Sequence, residues 1–141
     1  MFKLFFLITF LILTFNIYSC ENFSGKYRYS DTEENKVDFE FKQSNCKEIE
    51  YITAEIQVLL NDHFQKTGSI IIMDSQFDIF QKVNFTNQKM LMDLSIQTVN
   101  QSNSSEQNIQ LEISKLESGD LDVVATYDDG HIENLTYKKV F

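Results

Sequence analysis

From residue 23 onward the chain repeats one pattern: apolar and polar residues alternate singly, small polar residues interrupt, and the alternation resumes. A period of two sends successive side chains to opposite faces of an extended chain, so each run reads as a strand with one face toward a core. Nowhere is the period of 3.6 that an amphipathic helix requires sustained. Residues 23–29 read as a first strand, and Val37, Phe39 and Phe41 share one face of a second. Ser44-Asn45 suits a turn, after which a third strand runs from Cys46 through Ile49 and Tyr51. The parity then slips to Ile52, Ala54, Ile56, Val58 and Leu60, which requires a bulge or a break between strands; a short amphipathic helix is the alternative.

Residues 61–67 are polar, Gly68 marks a turn, and Ile70-Ile71-Ile72-Met73 is the continuous apolar run of a strand buried on both sides. Asp74-Ser75 turns the chain into residues 77–85, and Asn87-Gln88 ends that segment. Met90, Met92, Leu94 and Ile96 alternate cleanly, residues 101–107 form a polar loop, and Ile109, Leu111 and Ile113 alternate again. Ser118-Gly119-Asp120 is a turn, Leu121, Val123, Ala125 and Tyr127 follow, and Asp128-Asp129-Gly130 holds the Asp-Gly pair of tight hairpins before Leu135 and Tyr137 on the last strand. Strands joined by such short turns pair with their sequence neighbours. The fold class predicted is all-β: an antiparallel up-and-down meander that removes its edges by closing into a small barrel of about eight strands. A two-sheet sandwich is the alternative, and it needs longer crossovers than the turns allow.

The first residues obey a different rule. Lys3 precedes an uncharged run from Leu4 to Phe15, too short to cross a hydrocarbon core of about 20 helical residues but suited to the apolar centre of an export signal. Residues 1–19 therefore read as a signal peptide and residues 20–141 as one domain, of a size that buries enough surface to stand alone. The chain holds 21 acidic and 12 basic side chains, formally −9, and loss of the leader removes only Lys3. A surface of that sign repels phosphate backbones and anionic headgroups, which excludes nucleic acid as a partner and membrane attraction through charge.

Ile17-Tyr18-Ser19-Cys20 resembles the lipobox of small bacterial lipoproteins, with an aliphatic residue three before the cysteine and a small one directly before it. The resemblance implies cleavage before Cys20, lipidation of its thiol, and a cell-envelope protein held on a membrane by that anchor. An ordinary secretory signal is the alternative. In that case an oxidising compartment favours a bridge from Cys20 to Cys46, the chain's other cysteine. N-glycosylation sequons at Asn22, Asn84, Asn100, Asn103 and Asn134 fit this second course, a secreted eukaryotic glycoprotein.

The opening Phe23-Ser24-Gly25-Lys26-Tyr27 is similar to the Gly-x-Trp motif of lipocalins, with Tyr27 in place of the tryptophan. The stretch Phe41-Lys42-Gln43-Ser44-Asn45-Cys46-Lys47-Glu48-Ile49 and the terminal Leu135-Thr136-Tyr137-Lys138-Lys139-Val140 extend the likeness to a lipocalin-like (calycin) barrel. The resemblance implies that Gly25 lets the chain bend, that Tyr27 plugs the closed end, and that Lys138 or Lys139 packs over it. It also implies a small hydrophobic ligand, bound or carried. The walls of such a cavity would be Phe39, Phe41, Phe77, Phe80, Met90, Met92 and Leu94, all apolar and all on alternating strands. A barrel packed solid, acting on a protein partner through its acidic surface, is the rival reading.

Catalytic chemistry has little to stand on. His63 and His131 each adjoin carboxylates, Asp62 and Asp129, but lie in polar connections, where solvated loop histidines are the plain interpretation. No nucleophile elbow, phosphate loop or Cys-x-x-Cys occurs, and Asp128-Asp129-Gly130 lacks the spaced ligands of a calcium loop. The expectation is a non-enzymatic protein with no cofactor and no metal.

Overall fold

The structure is a computed structural model that describes residues 20–29, 36–99 and 105–141. The leader at residues 1–19 and the sequons at Asn100 and Asn103 lie outside the described residues, as does most of the polar loop. Ten strands follow in order: β1 Gly25–Tyr29, β2 Phe39–Gln43, β3 Ile49–Ile52, β4 Gln57–Leu60, β5 Gln65–Ile72, β6 Ser75–Thr86, β7 Lys89–Thr98, β8 Glu106–Lys115, β9 Leu121–Tyr127 and β10 Ile132–Val140. All pair antiparallel in one sheet of order β4-β3-β2-β1-β10-β9-β8-β7-β6-β5. β1 meets β10, so every neighbour in the sheet is a neighbour in the chain or joins the first strand to the last. This is an up-and-down meander in a nearly closed barrel, with two strands more than the alternation suggested.

Local chemistry sets the strand ends. The parity slip after Ile52 is a break: residues 53–56 form a turn in which the Thr53 N–H donates to the Ile56 carbonyl. In the β9–β10 hairpin, the Tyr127 N–H donates to the His131 carbonyl and the Gly130 N–H to the Tyr127 carbonyl. Gly130 sits at φ 83°, the left-handed residue of a three-residue hairpin loop. The same pattern joins β8 to β9, from Leu116 to Asp120.

Two readings of the sequence need correction. Gly68 is no turn; it lies inside β5 where the register against β6 shifts between Lys66 and Gly68, a bulge for which a residue without a side chain is suited. Ile70–Met73 is not a doubly buried strand either. β5 lies at one end of the sheet order, and its last residues run beyond the barrel to a two-residue turn at Met73-Asp74, both at positive φ. Ile71 is 75% and Met73 95% exposed there. An apolar run alone does not distinguish a buried strand from an exposed hairpin end.

The barrel has a seam between β4 and β5. The Val83 N–H of β6 donates to the Asn61 carbonyl at 2.6 Å, and the Gln65 amide bonds the Leu59 carbonyl across the gap. One end of the barrel is plugged by residues 20–24. Phe23 is fully buried and lies 6.3 Å from the Phe85 ring. Its N–H donates to Gln43 Oε1, the Glu21 N–H to the Asn87 carbonyl, and Lys115 Nζ to the Asn22 carbonyl. Tyr27, also fully buried, donates its hydroxyl to the Phe23 carbonyl at 2.8 Å. Gly25 makes room for that ring: a Cβ there would stand 3.1 Å from the Tyr27 hydroxyl and 3.3 Å from Lys139 Cε.

A disulfide from Cys20 to Cys46 ties the same arm to the β2–β3 turn. In this bridged form the Cys20 sulfur is engaged by Cys46, the arrangement expected of the secretory alternative. The bridge closes a separation of 26 residues, a loop whose closure entropy is worth about 3 kcal/mol. Cys20→Ser and Cys46→Ser are each expected to lose roughly that amount in urea unfolding, and the double variant no more than either single one.

Burial raises the Tyr27 hydroxyl to about 12, with the Asp120 carboxylate adding to the effect. The folded chain thus keeps a proton that the unfolded chain releases near pH 10. The Tyr27 contribution is intact below about pH 10 and fades at about 1.4 kcal/mol per pH unit as pH rises toward 12. Tyr27→Phe should cost about 1 kcal/mol at neutral pH, the worth of the lost bond to Phe23, and should flatten the alkaline decline in urea midpoint.

Candidate functional site

Inward-facing side chains change character along the barrel axis. At the plugged end Ile49, Leu60, Val83, Met90 and Leu121 are fully buried. Further along the strands they part around a cavity of about 190 Å³. One wall is aromatic: Phe39 and Phe41 of β2, Tyr51 of β3 and Tyr137 of β10. Ring centroids lie 5.0 Å apart for Phe39–Phe41, 5.1 Å for Phe39–Tyr137 and 5.7 Å for Phe41–Tyr51, in edge-on or tilted contacts favoured by ring quadrupoles. The remaining wall is aliphatic: Met92 and Leu94 of β7, Leu111 and Ile113 of β8, Leu121 and Val123 of β9, and Leu135 of β10.

One amide interrupts the apolar lining. Gln81 of β6 is 8% exposed and sits opposite Leu94 in the ladder. Its Nε2 donates to the Met92 thioether at 3.6 Å, a weak acceptor. The tyrosines complete the polar inventory. Burial, first of all, raises both Tyr51 and Tyr137, with neighbouring tyrosine and carboxylate groups adding to it. Both hydroxyls therefore stay protonated at neutral pH, and the lining carries no formal charge.

Of the expected cavity residues, Phe39, Phe41, Met92 and Leu94 line the space. Three others lie elsewhere. Met90 is fully buried one inward step closer to the plug. Phe77 shares the face of Gln81 but pairs with Thr98 near the far end of β6, outside the lining. Phe80 is opposite Ser95, one residue out of phase with the Gln81–Leu94 pair, so the pleat turns it to the outer face. Gly25 and Tyr27 belong to the plugged end, where Lys139 is opposite Tyr27 in the ladder and runs along Gly25. Gln81 was not singled out, although a signal existed: on the parity Phe77, Ile79, Gln81, Val83, Phe85 it is the one polar residue among apolar ones.

The histidines stay local. His63 Nε2 lies 3.4 Å from Asp62 on an exposed connection, and the His131 N–H donates to Asp129 within its own hairpin. Among the described residues, no group of three or more His, Cys, Asp or Glu side chains is arranged to hold a metal ion. The geometry offers a partly open, uncharged, mostly apolar space with one amide in its wall.

Compared with known proteins, the chain matches no protein-family profile, no curated protein and no solved structure.

Proposed function

We propose that this chain is exported through an oxidising compartment and binds a small hydrophobic molecule inside its barrel, as a carrier or sequestering protein without enzymatic activity. The observation that carries the binding reading is the 190 Å³ cavity walled by apolar side chains in the middle of the barrel. An empty space of that kind forfeits packing that a sequence rich in Phe, Leu and Ile is well able to supply, and small-molecule sites are mostly apolar with few polar fixtures. Export is supported by the charge-flanked apolar leader and by a disulfide of the type that persists outside the reducing cytosol. The sequon residues Asn22, Asn84 and Asn134 are all exposed, as a glycosylated surface needs. The reading is of a secreted protein rather than an anchored one, since Cys20 is engaged with Cys46.

A second reading has one observation on its side. The exposed Ile70–Met73 end of the β5–β6 hairpin is an apolar surface of the sort that meets a protein partner. On that reading the barrel works through its exterior and the cavity is incidental.

Native mass spectrometry of the secreted protein decides between them. The binding reading expects a retained small mass on the wild-type chain, lost in Leu94→Phe and in Leu111→Phe, two independent fillings of the cavity that should cost about 1–3 kcal/mol of stability. A wild-type chain that never carries such a mass, in a preparation still bearing the Cys20–Cys46 bridge, would overturn it. The same spectra test export: the intact mass should lack residues 1–19 and carry no acyl group.

A further inference from the structure

The size, charge and asymmetry of the cavity narrow its ligand further, on the basis of the binding reading above. We propose that the cavity takes a small, neutral, single-ring compound bearing one hydrogen-bond donor, with the ring against the aromatic wall and the donor on the amide oxygen of Gln81.

Size is the first constraint. An apolar cavity of about 150 Å³ takes benzene, and drug-sized ligands occupy sites of about 300–1,000 Å³. At 190 Å³ the space fits a ring with a small substituent. A long acyl chain or a sterol does not fit.

Charge is the second. Every lining side chain is neutral at pH 7, Tyr51 and Tyr137 included, since a phenol ionises only near pH 10 and burial raises both further. A carboxylate taken into such a wall would be stripped of water with no counter-charge to meet it. Fatty-acid anions are disfavoured on this ground as well as on length.

The third constraint is the wall itself. Phe39, Phe41, Tyr51 and Tyr137 form a connected set of rings on one side, with aliphatic side chains facing them. A flat ligand matches that division: its edge or face meets rings on one side and its other face packs on methyl groups. Gln81 then supplies direction. The amide is nine-tenths buried in the cavity wall, its Nε2 is turned to a thioether, and its carbonyl oxygen is the acceptor the amide can offer a ligand. A ligand hydroxyl or N–H that donates to that oxygen gains a neutral hydrogen bond within a mostly apolar wall.

Phenol and toluene have nearly the same shape and differ by that donor, so their affinity ratio isolates the amide. Titrations of the full chain with phenol, toluene and palmitate, read by changes in the methyl spectra of Leu94, Leu111 and Met92, test the proposal. Both rings are expected to bind and palmitate is not. Gln81→Leu should lower the phenol-to-toluene affinity ratio roughly 3- to 10-fold, the worth of one neutral hydrogen bond, while toluene binding holds or tightens. Gln81→Met, whose side chain follows a similar path, should do the same and serves if leucine disturbs the barrel. An unchanged ratio in both variants would overturn the role of Gln81. Palmitate displacing the rings would overturn the ring-sized ligand while leaving an internal binding site intact. If none of the three probes binds, the binding reading fails together with this one.

Discussion

The barrel is held shut by something other than its ladder of strands. β4 and β5 stand at opposite ends of the sheet order, and the seam between them is crossed by the Val83–Asn61 backbone bond and the Gln65 side chain. What makes the interior a core is the arm at residues 20–24 lying over one end. Phe23 enters the barrel mouth, and the Tyr27 hydroxyl holds its carbonyl from below. Gln43, Asn87 and Lys115 fix the arm from three different parts of the rim, and the disulfide fixes it to a fourth. Burying a phenylalanine contributes roughly 2–3 kcal/mol by itself. Its larger effect is on Ile49, Leu60, Val83, Met90 and Leu121, which are fully buried beneath the plug. The meander supplies the walls, and the arm stops one end of them.

That asymmetry explains where the empty space lies. At the plugged end the arm adds side chains from outside the sheet, Phe23 above all, and the layer fills. Away from it only the strands contribute, and barrel interiors of this size are either filled by side chains or hold one small molecule. Here the filling stops short. Rings from β2, β3 and β10 occupy one side and short or flexible aliphatics from β7, β8 and β9 the other, with 190 Å³ between them.

The alternation that specifies most of the strands is legible, because a period of two follows from backbone geometry and needs no tertiary information. Phe39, Phe41, Met92 and Leu94 were identified as cavity walls for the same reason: each lies on a clean apolar face. The misplaced residues are those where local pattern and tertiary position diverge. Phe80 is apolar but out of phase with the inward face of β6. Ile70–Met73 looks like a core strand because nothing in four apolar residues records that the hairpin outruns the barrel. Cys20 offered two chemistries that a sequence cannot separate, since the bridge depends on the arm returning to the β2–β3 turn, a long-range contact. Gln81 was hidden by its own polarity, which reads as solvent-facing unless the face it occupies is counted first.

The distribution of charge gives the interior and the exterior opposite preferences that act together. The chain as a whole is formally −9, and none of the side chains that line the cavity is charged. An anion approaching the molecule meets an unfavourable field before contact, and on reaching the interior finds no cation to replace its water. On the proposed binding reading, a neutral molecule is the one both preferences favour. Selectivity of this kind needs no dedicated filter: it follows from a core built of apolar parities and a surface built of acidic ones, the same alternation that folds the chain.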